Sequence, residues 1–172
     1  PEPPDGLILD LRGNGGGWRT VLETVLGCFV EGGAGEFFNQ GKSYPVEVKP
    51  NDLLPRLRDV RVVVLVDQHT ESYAEVLAAV LQEASRARIV GQQTPGNTES
   101  IYAYDFDDGS RLWVAQEGFR LPSGLDLEGR GVTPDEVIDA NWALFPEAED
   151  PHILRALDLL ALTGKVSGMN KE

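Results

Sequence analysis

The stretch Val62–Gln82, VVVLVDQHTESYAEVLAAVLQ, decides how the rest of the chain reads. Val62 to Val66 are five consecutive apolar residues, four of them β-branched, the composition of a strand buried on both faces. From Ala74 the apolar positions are Ala74, Leu77, Ala78 and Leu81, the i, i+3, i+4, i+7 spacing of an amphipathic helix. Between strand and helix lies DQHTESY, a short polar turn with Ser72 near its end. A hydroxyl there stands at the C-terminal edge of a strand and beside a helix N-terminus. Backbone N–H groups at that point lack intrahelical partners and the dipole favours negative charge, so an oxyanion could be held. Nucleophile elbows are built this way, although the G-x-S-x-G pattern is absent. The plainer reading makes Thr70 or Ser72 an N-cap with Glu75 in the first turn. Taken alone, the stretch favours the cap.

A second corner of the same kind lies near the N-terminus. Gly6–Leu11 (GLILDL) reads as a buried strand and runs straight into Arg12-Gly13-Asn14-Gly15-Gly16-Gly17. Four glycines in five positions call for positive φ, close backbone approach, or both. A helix over Arg19–Val30 follows, with Val21, Leu22, Val25, Leu26 and Phe29 on one face. Strand, glycine turn and helix N-terminus make an anion-binding corner. It matches neither G-x-G-x-x-G nor G-x-x-x-x-G-K-[ST], so a nucleotide phosphate is disfavoured and an oxyanion hole is the more economical use. A tight structural turn is the alternative.

Elsewhere the pattern predicts a hairpin of Glu36–Asn39 with Tyr44–Val48 and a proline-punctuated loop to residue 58. It also predicts a short strand at Ile89-Val90, and strands near Ser100–Phe106 and Arg111–Gln116 joined at Asp107-Asp108-Gly109-Ser110. A terminal helix opens at Asp150-Pro151, carries His152 in its first turn as a surface residue, and ends near Thr163 with Gly164 as its stop. Alternating strands and helices give an α/β layered fold. The two corners, around Gly13–Gly17 and around Ser72, then sit side by side on the sheet edge where open α/β folds keep their sites.

The 172-residue length suits a single domain, read as a lead at 1–5, a core at 6–163 and a tail at 164–172. The abrupt start, PEPPDGLILDLRG, reads as part of a longer protein. Net charge of −13 makes nucleic acid and anionic membrane surfaces poor partners. One cysteine excludes an internal disulfide, and with only two histidines no zinc site of the usual kind is expected. No apolar run approaches the ~20 residues of a membrane span. Neither cofactor nor metal is expected.

Four motifs then converge. Asp10-Leu11-Arg12-Gly13-Asn14-Gly15-Gly16-Gly17 resembles the D-L-R-x-N-x-G-G signature of the C-terminal processing (tail-specific) serine peptidases. Val64 to Val76 is similar to their V-L-V-N-E-x-[ST]-A-S-A-S-E segment, which places Ser72 on the nucleophile and Glu75 on the family glutamate. Ile89–Thr94 resembles V-G-x-x-T, and Pro122-Ser123-Gly124 with Gly129–Asp135 resembles P-S-G…G-x-G-[IV]-x-P-D. The resemblance runs from about residue 6 to 138. It implies the Clp protease/crotonase-like ββα fold and serine-dependent peptide hydrolysis without a cofactor. It further implies peptide or protein substrates with hydrophobic side chains, a homo-oligomer as one arrangement, and a cell-envelope or extracytoplasmic setting for a full-length bacterial protein.

One family residue is missing. The processing peptidases use a lysine base in a T-F-G-K-G loop, and the matching loop here reads Thr94-Pro95-Gly96-Asn97. Asn97 has no basic lone pair at neutral pH, and no lysine occurs between Lys49 and Lys165. A Ser–Lys dyad is therefore excluded. The tricorn-core branch, which this chain resembles more closely, uses a histidine from ahead of the D-L-R strand, oriented in part by a glutamate. Glu128, in Glu128-Gly129-Arg130-Gly131-Val132, fits that glutamate, with the histidine supplied from outside residues 1–172. His69, three residues before Ser72, is the only local substitute and reads as a solvated loop histidine. The resemblance puts the oxyanion hole on the backbone N–H groups of Gly16 (or Gly15) and Tyr73. Tyr73 and Glu71 replace small residues of the family. The alternative function is a peptide- or ligand-binding module of the same fold that has lost its base.

Overall fold

A computed structural model describes residues 3–166, with side chains as far as Ala161. The first two residues of the lead and the tail beyond Val166 lie outside the described residues. In chain order the elements are β1 (Gly6–Asp10), α1 (Arg19–Leu26), β2 (Gly32–Asn39), β3 (Lys42–Val48), α2 (Leu54–Leu57), β4 (Arg61–Val66), α3 (Tyr73–Glu83), β5 (Ala87–Gly91), β6 (Ser100–Asp105), β7 (Arg111–Arg120), β8 (Glu136–Val137) and α4 (Pro151–Val166). Two 3-10 turns, Trp142–Leu144 and Glu147–Glu149, precede α4.

Two sheets form. One is parallel with order β1-β4-β5-β8, the other antiparallel with order β3-β2-β7-β6. β4 lies inside the parallel sheet, and its alternation explains both layers. Val62, Val64 and Val66 face α1, α3 and the second sheet's Phe37, Val48 and Phe119. Val63 and Leu65 face Val90 and Ala156, so α4 covers the opposite side. Each such side chain contributes about 2 kcal/mol by leaving water. No helix among the described residues is long and apolar enough to cross a membrane.

Several boundaries differ from the sequence expectation for physical reasons. The first helix ends at Leu26, not Val30, because Gly27 caps it and lies against the backbone of Lys49–Asn51; the Asn51 N–H donates to the Gly27 carbonyl at 2.7 Å. The proline-punctuated loop contains the one-turn helix α2. Strand β7 continues to Arg120 because its second half pairs with β2, through Phe37↔Phe119 and Phe38↔Gly118. Gly164 does not stop α4, which runs to Val166; an interior glycine costs about 1 kcal/mol and does not by itself break a helix.

His152, read as a surface residue, is fully buried between α4 and the sheet. Its Nε2 lies 3.1 Å from the Ile138 carbonyl, and its Nδ1 is buried without a partner. Burial pushes this imidazole below its ordinary pKa, against the Ile138 contact that favours the charged form. The unfolded chain therefore takes up the proton first. Stability is unaffected by His152 above about pH 6.5 and declines as pH falls below that value. His152→Gln, which can keep the bond to Ile138, removes this dependence. Urea unfolding between pH 7.5 and 5.5 checks it: the midpoint falls in the parent chain and stays nearly level in the variant.

Candidate active site

Register places the two corners together. β1 pairs with β4 through Asp10↔Leu65, so the turns that leave both strands emerge side by side. The Glu71 N–H donates to the Asn14 carbonyl at 2.9 Å. A Cβ on Gly16 would lie 2.6 Å from Ser72 Cβ, so only glycine permits this approach. Gly16 also has φ of +94°, which glycine alone adopts readily.

Ser72 is the residue before α3 and has φ 57° and ψ −130°, a conformation that costs a non-glycine residue on the order of 1–3 kcal/mol. Ser72 and Glu75 stand in a capping-box relation, of which the reverse half dominates: the Ser72 N–H donates to Glu75 Oε2 at 3.2 Å. The Glu75 N–H also reaches the Ser72 carbonyl, at 2.9 Å. Ser72 thus fills the N-cap place of α3, and its positive φ against Gly16 is the feature that capping does not require. The Tyr73 N–H opens the helix and has no intrahelical acceptor. The Gly16 N–H donates to Asn14 Oδ1 at 2.9 Å, whereas the Gly15 N–H has no acceptor among the described residues.

Glu75 is the centre of this arrangement. Its carboxylate is fully buried and accepts four hydrogen bonds: from Thr94 Oγ1 at 2.5 Å, the Gly96 N–H at 2.7 Å, the Asn97 N–H at 2.8 Å and the Ser72 N–H. The Ser72 N–H is shared with the Asn97 carbonyl at 2.8 Å. Residues 94–97 are thus pinned across the start of α3. Behind them Gly129 donates to the Gly96 carbonyl at 2.8 Å, and the Val132 N–H to Thr94 Oγ1 at 2.7 Å. A Cβ on Gly131 would collide with Thr94, which gives the G-x-G motif its physical reason.

Glu128 is fastened to the loop through Thr98. Its Oε2 accepts the Thr98 N–H at 2.8 Å and the Thr98 hydroxyl at 3.0 Å. Asn97 is exposed at the loop's crest, and its backbone, not its amide, does the fastening. His69 is exposed, holds Asp67 through its own N–H, and lines neither cavity at the site. No group of three or more metal-ligating side chains occurs among the described residues.

Two cavities flank the elbow. An apolar one of about 300 Å³ is lined by Leu9, Leu11, Val21, Leu22, Val25 and Leu77, with Gly16 and Tyr73 at its mouth. A second, about 570 Å³, contains Ser72 itself. Gly17, Trp18 and Tyr73 border both and form the partition between them. The Tyr73 hydroxyl lies 2.8 Å from Ser100 Oγ, which ties this wall to β6.

Sequence reasoning missed a second buried carboxylate, Asp67. It accepts from the Gly13 N–H at 3.0 Å and from Trp142 Nε1 at 2.9 Å. Burial alone would raise its pKa, but these bonds and those from His69 and Thr70 hold it below the ordinary carboxylate range. The signal was available: a charged residue ends an otherwise apolar strand. Arg12 stacks 4.2 Å over Trp142 and pairs with Asp10 at 2.7 Å and Asp150 at 2.6 Å, so α4's first turn braces the glycine turn.

The sequence profile of peptidase family S41 matches residues 2–138. The chain belongs to peptidase family S41. It is 31% identical over 181 residues to a carboxyl-terminal-processing protease of Synechocystis, covering 97% of this chain and 39% of that protein. Among solved structures, the photosystem II D1 C-terminal processing protease aligns with TM-score 0.68 and 29% identity over 88% of this chain and 38% of its own. The tricorn protease aligns with TM-score 0.68 and 22% identity over 92% of this chain and 15% of its own. The two-sheet α/β architecture is the Clp protease/crotonase-like fold. The chain spans about two fifths of the curated relative's length.

Glu75→Gln should be severely destabilising. An amide presents N–H where N–H groups already point, leaving at least one buried donor unpaired at about 1–3 kcal/mol each. Thermal unfolding should drop by roughly 5–10 °C at the 2–4 °C per kcal/mol of a chain this size. An unchanged transition would show that the carboxylate does not hold the loop.

Proposed function

We propose that this S41 domain is a serine peptidase catalytic domain with Ser72 as its nucleophile. The observation that carries the reading is Ser72's backbone, held at φ 57° against Gly16. Strain of this kind persists only where the surroundings over-determine it, and here Glu75 and Asn97 both hold the Ser72 N–H. A base removes the proton from Ser72 Oγ as the oxygen attacks the scissile carbonyl. The oxyanion forms between the N–H groups of Tyr73 and the glycine turn, Gly15 or Gly16, with each lost donor costing on the order of 10²–10³ in rate. The base then protonates the leaving amine, and water resolves the acyl-enzyme by the same route. The apolar cavity beside Gly16 takes a hydrophobic substrate side chain.

The base comes from outside residues 1–172. Asn97 cannot serve, and His69 lies outside both cavities. A histidine supplied as in the tricorn-like branch would meet the site near Glu128, whose Oε2 is engaged by Thr98. That engagement also favours the second reading, a peptide-binding module in which Glu128 only anchors the loop. A positioned base is typically worth 10²–10⁴-fold, so the 172-residue chain by itself should bind peptides and cleave them very slowly. An active-site phosphonate should label the chain slowly, at Ser72 alone, and Ser72→Ala should abolish the label. Labelling elsewhere, or unchanged labelling in the variant, contradicts the assignment.

A further inference from the structure

We infer that the groove containing Ser72 selects substrates carrying a basic side chain close to the scissile bond; this rests on the peptidase reading above. The groove walls are aromatic: Trp18 and Trp113 are 77% and 56% exposed, and Tyr73 and Tyr102 complete the lining. Exposed indole and phenol faces carry a negative quadrupole that attracts ammonium and guanidinium groups as well as apolar side chains.

Charge decides between those two. The groove holds one cation of its own, Arg19, and that cation is neutralised in place. Its Nη2 lies 2.5 Å from Glu117 Oε2, a buried carboxylate that also accepts the Tyr102 hydroxyl at 2.9 Å. The guanidinium packs 3.6 Å over Phe37, which fixes it further. Glu99, on the rim, is exposed and makes no ion pair among the described residues. The groove therefore carries a net negative charge next to the exposed ring of Trp18, while the ring of Trp113 is already faced by the Arg111 guanidinium at 5.7 Å. The hairpin that forms its outer wall extends the field, with four carboxylates against one arginine between residues 99 and 111. Such a site disfavours a peptide carboxylate and favours lysine or arginine.

Two halves of the cleft then have different tastes. The cavity beyond the Gly17–Trp18–Tyr73 partition is lined by leucine and valine and takes an uncharged side chain. The groove takes the cation, stacked on tryptophan and facing Glu99. Trp18, Glu99, Tyr102 and Trp113 lie outside the motifs shared with the processing peptidases, so the preference belongs to this chain.

The test uses the Ser72→Ala chain, which cannot turn substrate over, and short fluorescein-labelled peptides in which one lysine is walked through an apolar sequence. Anisotropy should show one or two positions where lysine binds roughly fivefold tighter than norleucine, and where glutamate binds weaker than both. Added salt should shrink the difference. Glu99→Gln should remove most of the lysine preference while leaving norleucine binding alone, and Trp113→Ala should weaken both peptides. Equal binding of lysine and norleucine at every position, no binding by any peptide, or a preference that survives Glu99→Gln overturns the inference. Phosphonate labelling of Ser72 without a lysine preference defeats the groove assignment alone. A lysine preference without labelling defeats the catalytic reading alone.

Discussion

The buried carboxylate of Glu75 is the constraint on which the rest of the site depends. A carboxylate removed from water is tolerated only when its lone pairs are filled, and among the described residues no cation is paired with this one. It is satisfied by one hydroxyl and three backbone N–H groups, drawn from the start of α3 and from the loop after β5. The N-terminal dipole of α3 supplies further favourable potential. Because those donors belong to Ser72, Thr94, Gly96 and Asn97, satisfying one carboxylate fixes the Ser72 backbone and the loop of residues 94–97 relative to each other. The strained serine and the exposed Asn97 side chain are both consequences.

A second carboxylate does similar work on the other corner. Asp67 receives the Gly13 N–H and the Trp142 indole, and Arg12 is held between Asp10, Asp150 and the Trp142 ring. The glycine turn thus leans on residues 142 and 150, beyond the stretch matched by the family profile. Parallel pairing of β1 with β4 brings the two corners into contact, and Gly16 lets them close to van der Waals distance.

Much of the fold was legible because local pattern and tertiary environment agree. Residues 62–66 read as a doubly buried strand and are one, the helix after Ser72 falls where periodicity put it, and the expected hairpin of Glu36–Asn39 with Tyr44–Val48 forms, though β2 starts earlier, at Gly32, and β3 at Lys42. The adjacency of the two corners followed from strand order alone. What stayed hidden depends on partners distant in sequence. His152 looked like a surface residue at a helix start, yet Ile138 and the sheet enclose it. Strand β7 outran its local pattern because β2 pairs with its far end, and β8 is too short to show a period. At the site, Ser72 and Glu75 were visible at the strand-to-helix turn, whereas the Arg19–Glu117 pair joins residues 98 apart and left no local trace. Glu128 was singled out as an orienting carboxylate, but its bond to Thr98 was not foreseen, since nothing in either segment announces the other.

On the proposed reading, residues 1–172 hold a nucleophile elbow and an oxyanion hole in working geometry and lack only a base, which a lysine at position 97 could supply. Asn97→Lys tests it most directly, because the loop's backbone bonds to Glu75 and Ser72 do not involve the side chain being changed. The measurement is the rate of Ser72 labelling by an active-site phosphonate as a function of pH. The account predicts a gain of about 10²-fold or more over the parent chain, rising as the lysine deprotonates and lost in the Asn97→Lys, Ser72→Ala double variant. A folded Asn97→Lys chain that labels no faster than the parent at any pH would contradict it.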